Sequence, residues 1–114
     1  MEPWLCIWLA LLAGVVAGSL APGDVMPDLP NDRLLHFGAY AVLGVIPSGW
    51  AWSRSWGWKM AALASLIGVG LEILQNVIPG RTTDVADAIA NCAGAITGCV
   101  MGMMIRRWQQ DRSA

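Results

Sequence analysis

Long apolar segments dominate the chain, and short stretches that carry proline, glycine or charge separate them. A transmembrane helix needs about 20 apolar residues, and the segments show no alternation of apolar and polar positions like that of a membrane β-barrel. We therefore predict an all-α fold, a bundle of four transmembrane helices. Short connections make neighbours in sequence antiparallel. The predicted spans are 4–21, 34–52, 60–78 and 85–105.

Polar residues directly before two of the segments are expected to act as N-caps. Asn31 or Asp32 would cap the second helix, and Thr83 or Asp84 the fourth. Pro47 falls inside the second segment, where it is expected to kink the helix or end it early.

Composition supports membrane insertion as one domain, residues 1–114. Charged residues make up 13% of the chain and the mean hydropathy is +0.54, whereas soluble proteins carry about 25% charged residues. Glu2 precedes the first segment without any Lys or Arg, which favours a retained helix over a cleaved signal peptide. The net charge of −1 excludes a basic nucleic-acid surface. The cysteines lack metal-ligand spacing, and we expect no metal and no cofactor.

The distribution of cations predicts the orientation of the bundle. Only Arg33 and Arg81 lie on one predicted side, and the other side carries Arg54, Lys59, Arg106, Arg107 and Arg112. Positive residues concentrate in the cytoplasm, so both termini are expected there. All seven tryptophans are predicted to anchor the same interface: Trp4, Trp8, Trp50, Trp52, Trp56, Trp58 and Trp108.

Polar residues interrupt the apolar segments, although a charge at the bilayer centre costs about 2.5 kcal/mol or more. The predicted topology brings them to one level near the outer face, so they form our candidate site. The primary candidates are His36, Glu72, Gln75, Arg81, Asp87 and Asn91, and the secondary ones are Asp32, Arg33, Tyr40 and Asp84.

Helical spacing places these residues on faces that can turn inward. Glu72 and Gln75 share one face of the third segment, and Asp87 and Asn91 share one face of the fourth. The face of the fourth segment that carries Asp87 and Asn91 continues as a ridge of small residues. Such a ridge lets helix backbones approach closely in lipid. The ridge either packs within one chain or supports a homo-oligomer, and its glycines are Gly94, Gly98 and Gly102.

Between residues 30 and 100 the polar and glycine positions follow a distributed pattern. It reads Asp32-Arg33-x2-His36-Phe37-x2-Tyr40, then Glu72-x2-Gln75-x3-Pro79-Gly80-Arg81-Thr82-x4-Asp87-x3-Asn91-x2-Gly94-x3-Gly98. This pattern resembles the VanZ-like family of small bacterial integral membrane proteins. Family members usually carry Lys at the position of Arg33 and often Ser at that of Asp84. The name-giving members are associated with resistance to the glycopeptide antibiotic teicoplanin, so the resemblance implies a family-level link to the cell envelope and to antibiotic resistance.

Three functions remain open for the candidate site. The first is binding of a membrane lipid or envelope amphiphile, with Arg33, Arg81 and His36 facing its head group. The second is a small membrane enzyme in which His36 works with Glu72 or Asp87 as an acid–base pair, although no activated nucleophile is apparent.

The third is a structural role. A polar network would then join three helices within a membrane assembly subunit, through pairs such as Arg81 with Asp87 and His36 with Glu72.

Overall fold

The computed structural model describes residues 1–21, 32–80 and 84–113, which form four α-helices and, within these ranges, no strand. The all-α fold predicted from the sequence is confirmed. The helices are α1 (Pro3–Leu20), α2 (Asp32–Trp50), α3 (Arg54–Gln75) and α4 (Val85–Ser113).

The helices alternate in direction, as the short connections predicted. Along α2, successive turns lie against successive turns of α4 in the same order, so these two helices are parallel. By contrast, α3 is antiparallel to α2, because Gly57 contacts Ser48 and Gly68 contacts Tyr40. Helix α1 is also antiparallel to α2, since Trp8 contacts Leu43 and Trp4 contacts Trp52. Both described termini therefore lie at the same end of the bundle. We call it the tryptophan end, because Trp4, Trp52 and Trp56 lie there. The opposite end, with Arg33, Asp84 and Asp87, is the polar end.

Helix α2 is the central element of the bundle. It packs against each of the other three helices, most extensively against α4, whereas α1 and α4 do not contact each other. The other three helices have the length and hydropathy of a membrane span, and α2 does not meet these limits. Two polar residues of α2, Tyr40 and Ser48, are buried and lie against neighbouring helices.

Glycines bring the backbones of α2 and α4 into direct contact. A Cβ atom at Gly94 would collide with the carbonyl oxygen of Phe37, and one at Gly98 with that of Ala41. Gly102 repeats the contact one turn further on, where a Cβ would lie 2.6 Å from the carbonyl oxygen of Val45. The small-residue ridge thus packs within one chain. A homo-oligomer stays a prediction, and its contacts would lie outside this buried strip.

A hydrogen bond from α1 compensates for the proline inside α2. Pro47 has no N–H, so the carbonyl of Leu43, four residues earlier, lacks its usual helical donor. The indole Nε1 of Trp8 donates to this carbonyl at 2.8 Å. The helix continues through Pro47 to Trp50, past the position where the sequence suggested that it could end.

Arg106 satisfies carbonyl groups at the end of α2. Its Nε donates to the Ser48 oxygen at 2.8 Å, and its second terminal nitrogen donates to the Ala51 oxygen at 2.7 Å. The last carbonyls of a helix have no intrahelical donor. An arginine of α4 thus caps α2 at the tryptophan end.

The ends of two helices, α3 and α4, differ from the predicted spans by more than two residues. Helix α3 begins at Arg54 rather than Met60, because the Ser53 hydroxyl caps it by accepting from the Trp56 N–H at 3.3 Å. It ends at Gln75 rather than Ile78, and hydrogen bonds to carbonyls three residues earlier tighten the chain over residues 76–78. Helix α4 continues past Ile105 to Ser113.

The tryptophans divide into two groups. Trp4 and Trp8 are buried, because they pack between α1 and α2. These two differ from the predicted aromatic belt, since a buried indole does not anchor at an interface. The other five are exposed: Trp50, Trp52, Trp56, Trp58 and Trp108.

Candidate functional site

Arg33 links α2 to the start of α4 at the polar end. Its terminal nitrogen donates to the Asp84 carboxylate at 2.6 Å, and its Nε lies 3.5 Å from Oδ1 of Asp87. The Arg33 side chain is 62% exposed, whereas that of Asp87 is only 15% exposed. The pair therefore extends from the surface toward the interior of the bundle.

His36 lies one turn further into α2 and meets two other helices. Its Nδ1 is 3.0 Å from Oδ1 of Asn91 on α4 and 3.8 Å from Oε1 of Glu72 on α3. An amide oxygen only accepts, so the contact with Asn91 is a hydrogen bond when Nδ1 carries the proton. The imidazole is 16% exposed and the Glu72 side chain 8%. Three helices thus contribute one group each to a mostly buried cluster.

Two further candidates lie beside this cluster. Gln75 is buried, and its Nε2 donates to the carbonyl oxygen of Ser19 at 2.9 Å, in the last turn of α1. The Tyr40 ring packs on Gly68, where a Cβ would lie 2.8 Å from the ring. Gln75 therefore joins α3 to α1, and Tyr40 fills the space left by a glycine of α3.

The structure places the remaining candidates as follows. Asp84, one of the two residues predicted as the N-cap of α4, does cap this helix, because its Oδ1 accepts a hydrogen bond from the Ala86 N–H at 3.0 Å. Arg81, the Asp32 side chain and Thr83 lie outside the described part of the chain. Glu72 lies about one turn before the end of α3, which the structure places at Gln75 rather than at Ile78.

The electrostatics of the described groups are acidic. These groups comprise one guanidinium, that of Arg33, and three carboxylates, those of Asp84, Asp87 and Glu72, which gives −2 when all are ionised and His36 is neutral. The pKa of Asp84 is lowered from its ordinary value of 3.8, first by the Ala86 backbone hydrogen bond and then by Arg33. Asp84 thus remains an anion at neutral pH.

Sequence reasoning missed the two most specific helix-joining side chains, Trp8 and Arg106. Pro47 does signal an unpaired carbonyl at Leu43, because a helix pairs residues four apart. Nothing in the sequence shows, however, that the donor comes from α1. Arg106 was counted only as a charge that orients the bundle, and its bonds to α2 depend on the packing of α4.

A comparison with family models decides the family. The VanZ/LLP1 model matches residues 9–106, which is most of the chain. The chain belongs to the VanZ/LLP1 family. The resemblance inferred from the polar pattern is confirmed, and the match also includes most of α1. With three helices long and apolar enough to span a bilayer, this member of the family is a membrane protein. Comparisons with curated proteins and with solved structures found no match.

The geometry defines what the site can do chemically. Its outer part, formed by Arg33 and Asp84, offers charged donors and acceptors to a polar group outside the bundle. Its inner part places the His36 imidazole 3.0 Å from the Asn91 amide oxygen and 3.8 Å from the Glu72 carboxylate, so polar groups of three helices meet there. Apolar residues that face outward on α3 and α4 surround this end, including Ile73, Leu74, Val85 and Ile89.

Proposed function

We propose that this VanZ/LLP1 family member binds the polar head group of a cell-envelope amphiphile at the polar end of its bundle. The observation that carries the proposal is the gradient of exposure from Arg33 at the surface to His36 and Glu72 inside. Exposed apolar side chains on α3 and α4 flank this gradient. A molecule with a polar head and apolar chains matches both surfaces at once.

The charge of the site favours a head group that carries hydrogen-bond donors. Arg33 is engaged by Asp84 and Asp87, and the described groups together remain acidic. A simple anion would meet this excess of carboxylates unfavourably. Ammonium, amide or hydroxyl groups on the ligand would instead donate to Asp84, Asp87 or Glu72, and Arg33 would tolerate a neighbouring phosphate.

A purely structural role explains the arrangement less well. Hydrogen bonds between membrane helices average only about 0.6 kcal/mol in one measured set, so several charged groups are a costly way to join helices. Backbone contacts at Gly94 and Gly98 already hold α2 against α4. The charged groups at the polar end are therefore better explained by binding.

The test is native mass spectrometry of the purified chain in detergent with added envelope lipid extract. We expect a retained lipid in the unaltered protein and its loss in Glu72→Gln and Asp87→Asn, at unchanged protein abundance. Asp111→Asn is the matched control, because Asp111 is an exposed carboxylate on α4 near the opposite end. Lower abundance in the two site variants, with equal lipid retention in the protein that remains, would instead favour a structural network.

An acid–base enzyme is the second candidate function. The proximity of the His36 imidazole to the Glu72 carboxylate, at 3.8 Å, favours it, because histidine and carboxylate side chains are the usual general acids and bases of enzymes. Incubation of the protein with envelope lipids would then produce a lipid of changed mass, and His36→Gln would abolish the product. Lipid that is retained but unchanged in mass argues for binding alone.

The cellular setting is a further part of the proposal: a multi-pass protein of the bacterial plasma membrane with both termini in the cytoplasm. It is supported by the excess of arginine and lysine at the tryptophan end. In a cysteine-free background, an impermeant thiol reagent added to intact cells should label Asp84→Cys and not Arg112→Cys. The reverse labelling pattern would place the site in the inner leaflet.

A family-level link to glycopeptide resistance can be tested in the same cells. Expression of the chain should lower susceptibility to teicoplanin if the polar site acts on an envelope component, and Glu72→Gln should remove the effect. Equal protection by Glu72→Gln would separate any resistance from this site.

A further inference from the structure

A second cluster of cationic and apolar side chains lies at the tryptophan end, away from the polar site. A shallow groove of about 190 Å³ separates the start of α3 from the last membrane turns of α4. Its lining residues are Arg54, Val100, Met103, Met104 and Arg107. The four α4 residues follow the spacing of one helix face, so the groove has a continuous apolar wall with an arginine on either side.

The two arginines of the groove differ from the other cations at this end. Arg106 bonds to carbonyls of α2, Lys59 lies over the Trp56 ring at 5.4 Å, and Arg112 lies over the Trp108 ring at 4.6 Å. Within the described ranges, Arg54 and Arg107 form neither an ion pair nor a side-chain hydrogen bond. The two guanidinium groups of the groove are therefore the ones at this end that have no described polar partner within the fold.

We infer that this groove binds the phosphate of an anionic phospholipid from the leaflet at the tryptophan end. A guanidinium presents paired N–H donors that match phosphate oxygens, and Arg54 and Arg107 approach one position from two helices. Val100 and Met104 are more than half exposed and continue from this position toward the membrane, so they offer an apolar track to the acyl chain.

The size of the groove limits what it can hold. Pockets that enclose drug-sized ligands have volumes of roughly 300 to 1,000 Å³, larger than the 190 Å³ found here. The groove therefore holds a phosphate and the first methylene groups of a lipid, while the remaining chain stays in the bilayer. A soluble molecule of the same head-group chemistry would lack the contacts with Val100 and Met104.

The test uses the full chain in detergent and native mass spectrometry with phosphatidylglycerol or phosphatidylcholine of identical acyl chains. We expect more bound phosphatidylglycerol than phosphatidylcholine. Arg54→Gln and Arg107→Gln should each weaken binding about fivefold, the ratio that corresponds to about 1 kcal/mol per cation at an anionic surface. Arg54→Lys should weaken it less, because it keeps the charge and loses only the paired donors.

Arg112→Gln is the matched control, since it removes the same charge from the same end of α4 but outside the groove. An equal loss in Arg112→Gln, or equal binding of the two lipids, would overturn the inference in favour of unspecific attraction. Competition by glycerol phosphate as strong as that by phosphatidylglycerol would also overturn it, by removing the role of the apolar track. Circular dichroism and protein abundance confirm that each variant is folded.

Discussion

Trp8 of α1 donates its indole N–H to the carbonyl oxygen of Leu43, at 2.8 Å, in the buried contact between α1 and α2. Pro47 leaves this oxygen without a helical donor. The bond lets α2 remain helical through a proline at its core. It also fixes the height of α1 relative to α2, because Leu43 carries the carbonyl that Pro47 leaves without a helical donor.

Replacement of Trp8 by Phe should reduce the free energy of unfolding by about 1 to 3 kcal/mol, the cost of an unsatisfied buried polar group plus lost contacts. This change in the free energy of unfolding can be measured by titrating the purified chain in mixed micelles with increasing amounts of SDS. In a Pro47→Ala background the alanine N–H bonds to Leu43, so Trp8→Phe should cost less. Equal costs in both backgrounds would show that the indole contributes only packing.

Gly98→Ala should destabilise the bundle by about 1 to 3 kcal/mol, because the new Cβ would force α2 and α4 apart at Ala41. Gly70→Ala is the control, since its Cβ would meet no atom within 4 Å. The control should be neutral or slightly stabilising, as alanine favours helix more than glycine does. The same SDS titration distinguishes the two, and an unchanged midpoint for Gly98→Ala contradicts the close approach.

Arg106→Gln should destabilise the end of α2, because the carbonyls of Ser48 and Ala51 lose their donors. Hydrogen bonds from a charged group contribute about 1.5 to 3 kcal/mol, so the thermal midpoint should fall measurably. Arg107→Gln, which removes the adjacent charge but no described hydrogen bond, provides the control. Faster amide hydrogen exchange at Trp50 and Ala51 would locate the effect, and equal midpoints in the two variants would contradict it.

Asp84 should make the stability of the bundle depend on pH in the acid range. Its folded pKa is lowered from 3.8, first by the Ala86 backbone hydrogen bond and then by Arg33. The unfolded state therefore binds the proton more readily. The stabilisation is complete above pH 3.8 and is lost as pH falls below that value through the folded pKa.

Thermal unfolding of the unaltered chain and of Asp84→Asn at several pH values would measure this contribution. Asparagine keeps the N-cap but removes the charge. The unaltered chain should have the higher midpoint at pH 6, and the difference should shrink toward pH 2. A difference that is constant over this range would assign the effect to something other than the charge of Asp84.

The fold could be predicted closely because hydrophobicity and helix periodicity are local properties. Four apolar segments give four helices, and Asp84 caps α4 as expected. The helix ends were less predictable, since the Ser53 cap extends α3 into a stretch that looks like a loop. The direction of each helix followed from short connections alone.

The candidate site was predicted as a group but not as a set of contacts. Glu72 and Gln75 share one face of α3, yet Glu72 approaches His36 of α2 while Gln75 bonds to Ser19 of α1. Spacing along a helix defines a face and not the neighbour that covers it. Likewise, the structure pairs Arg33 with Asp87. The sequence could not predict this pair, because the charge of Arg33 does not distinguish it from Arg81.

By itself, the sequence determined that the protein is a helical membrane bundle of the VanZ/LLP1 family. These properties depend on composition, periodicity and the order of motifs, which need no knowledge of packing. Tertiary structure alone decided that α2 is central, that Trp8 and Arg106 serve its carbonyl groups, and that His36 lies between Asn91 and Glu72. Such contacts depend on how each helix is rotated and shifted against its neighbours. Close packing at the glycines sets this rotation and shift, and that packing exists only in the folded chain.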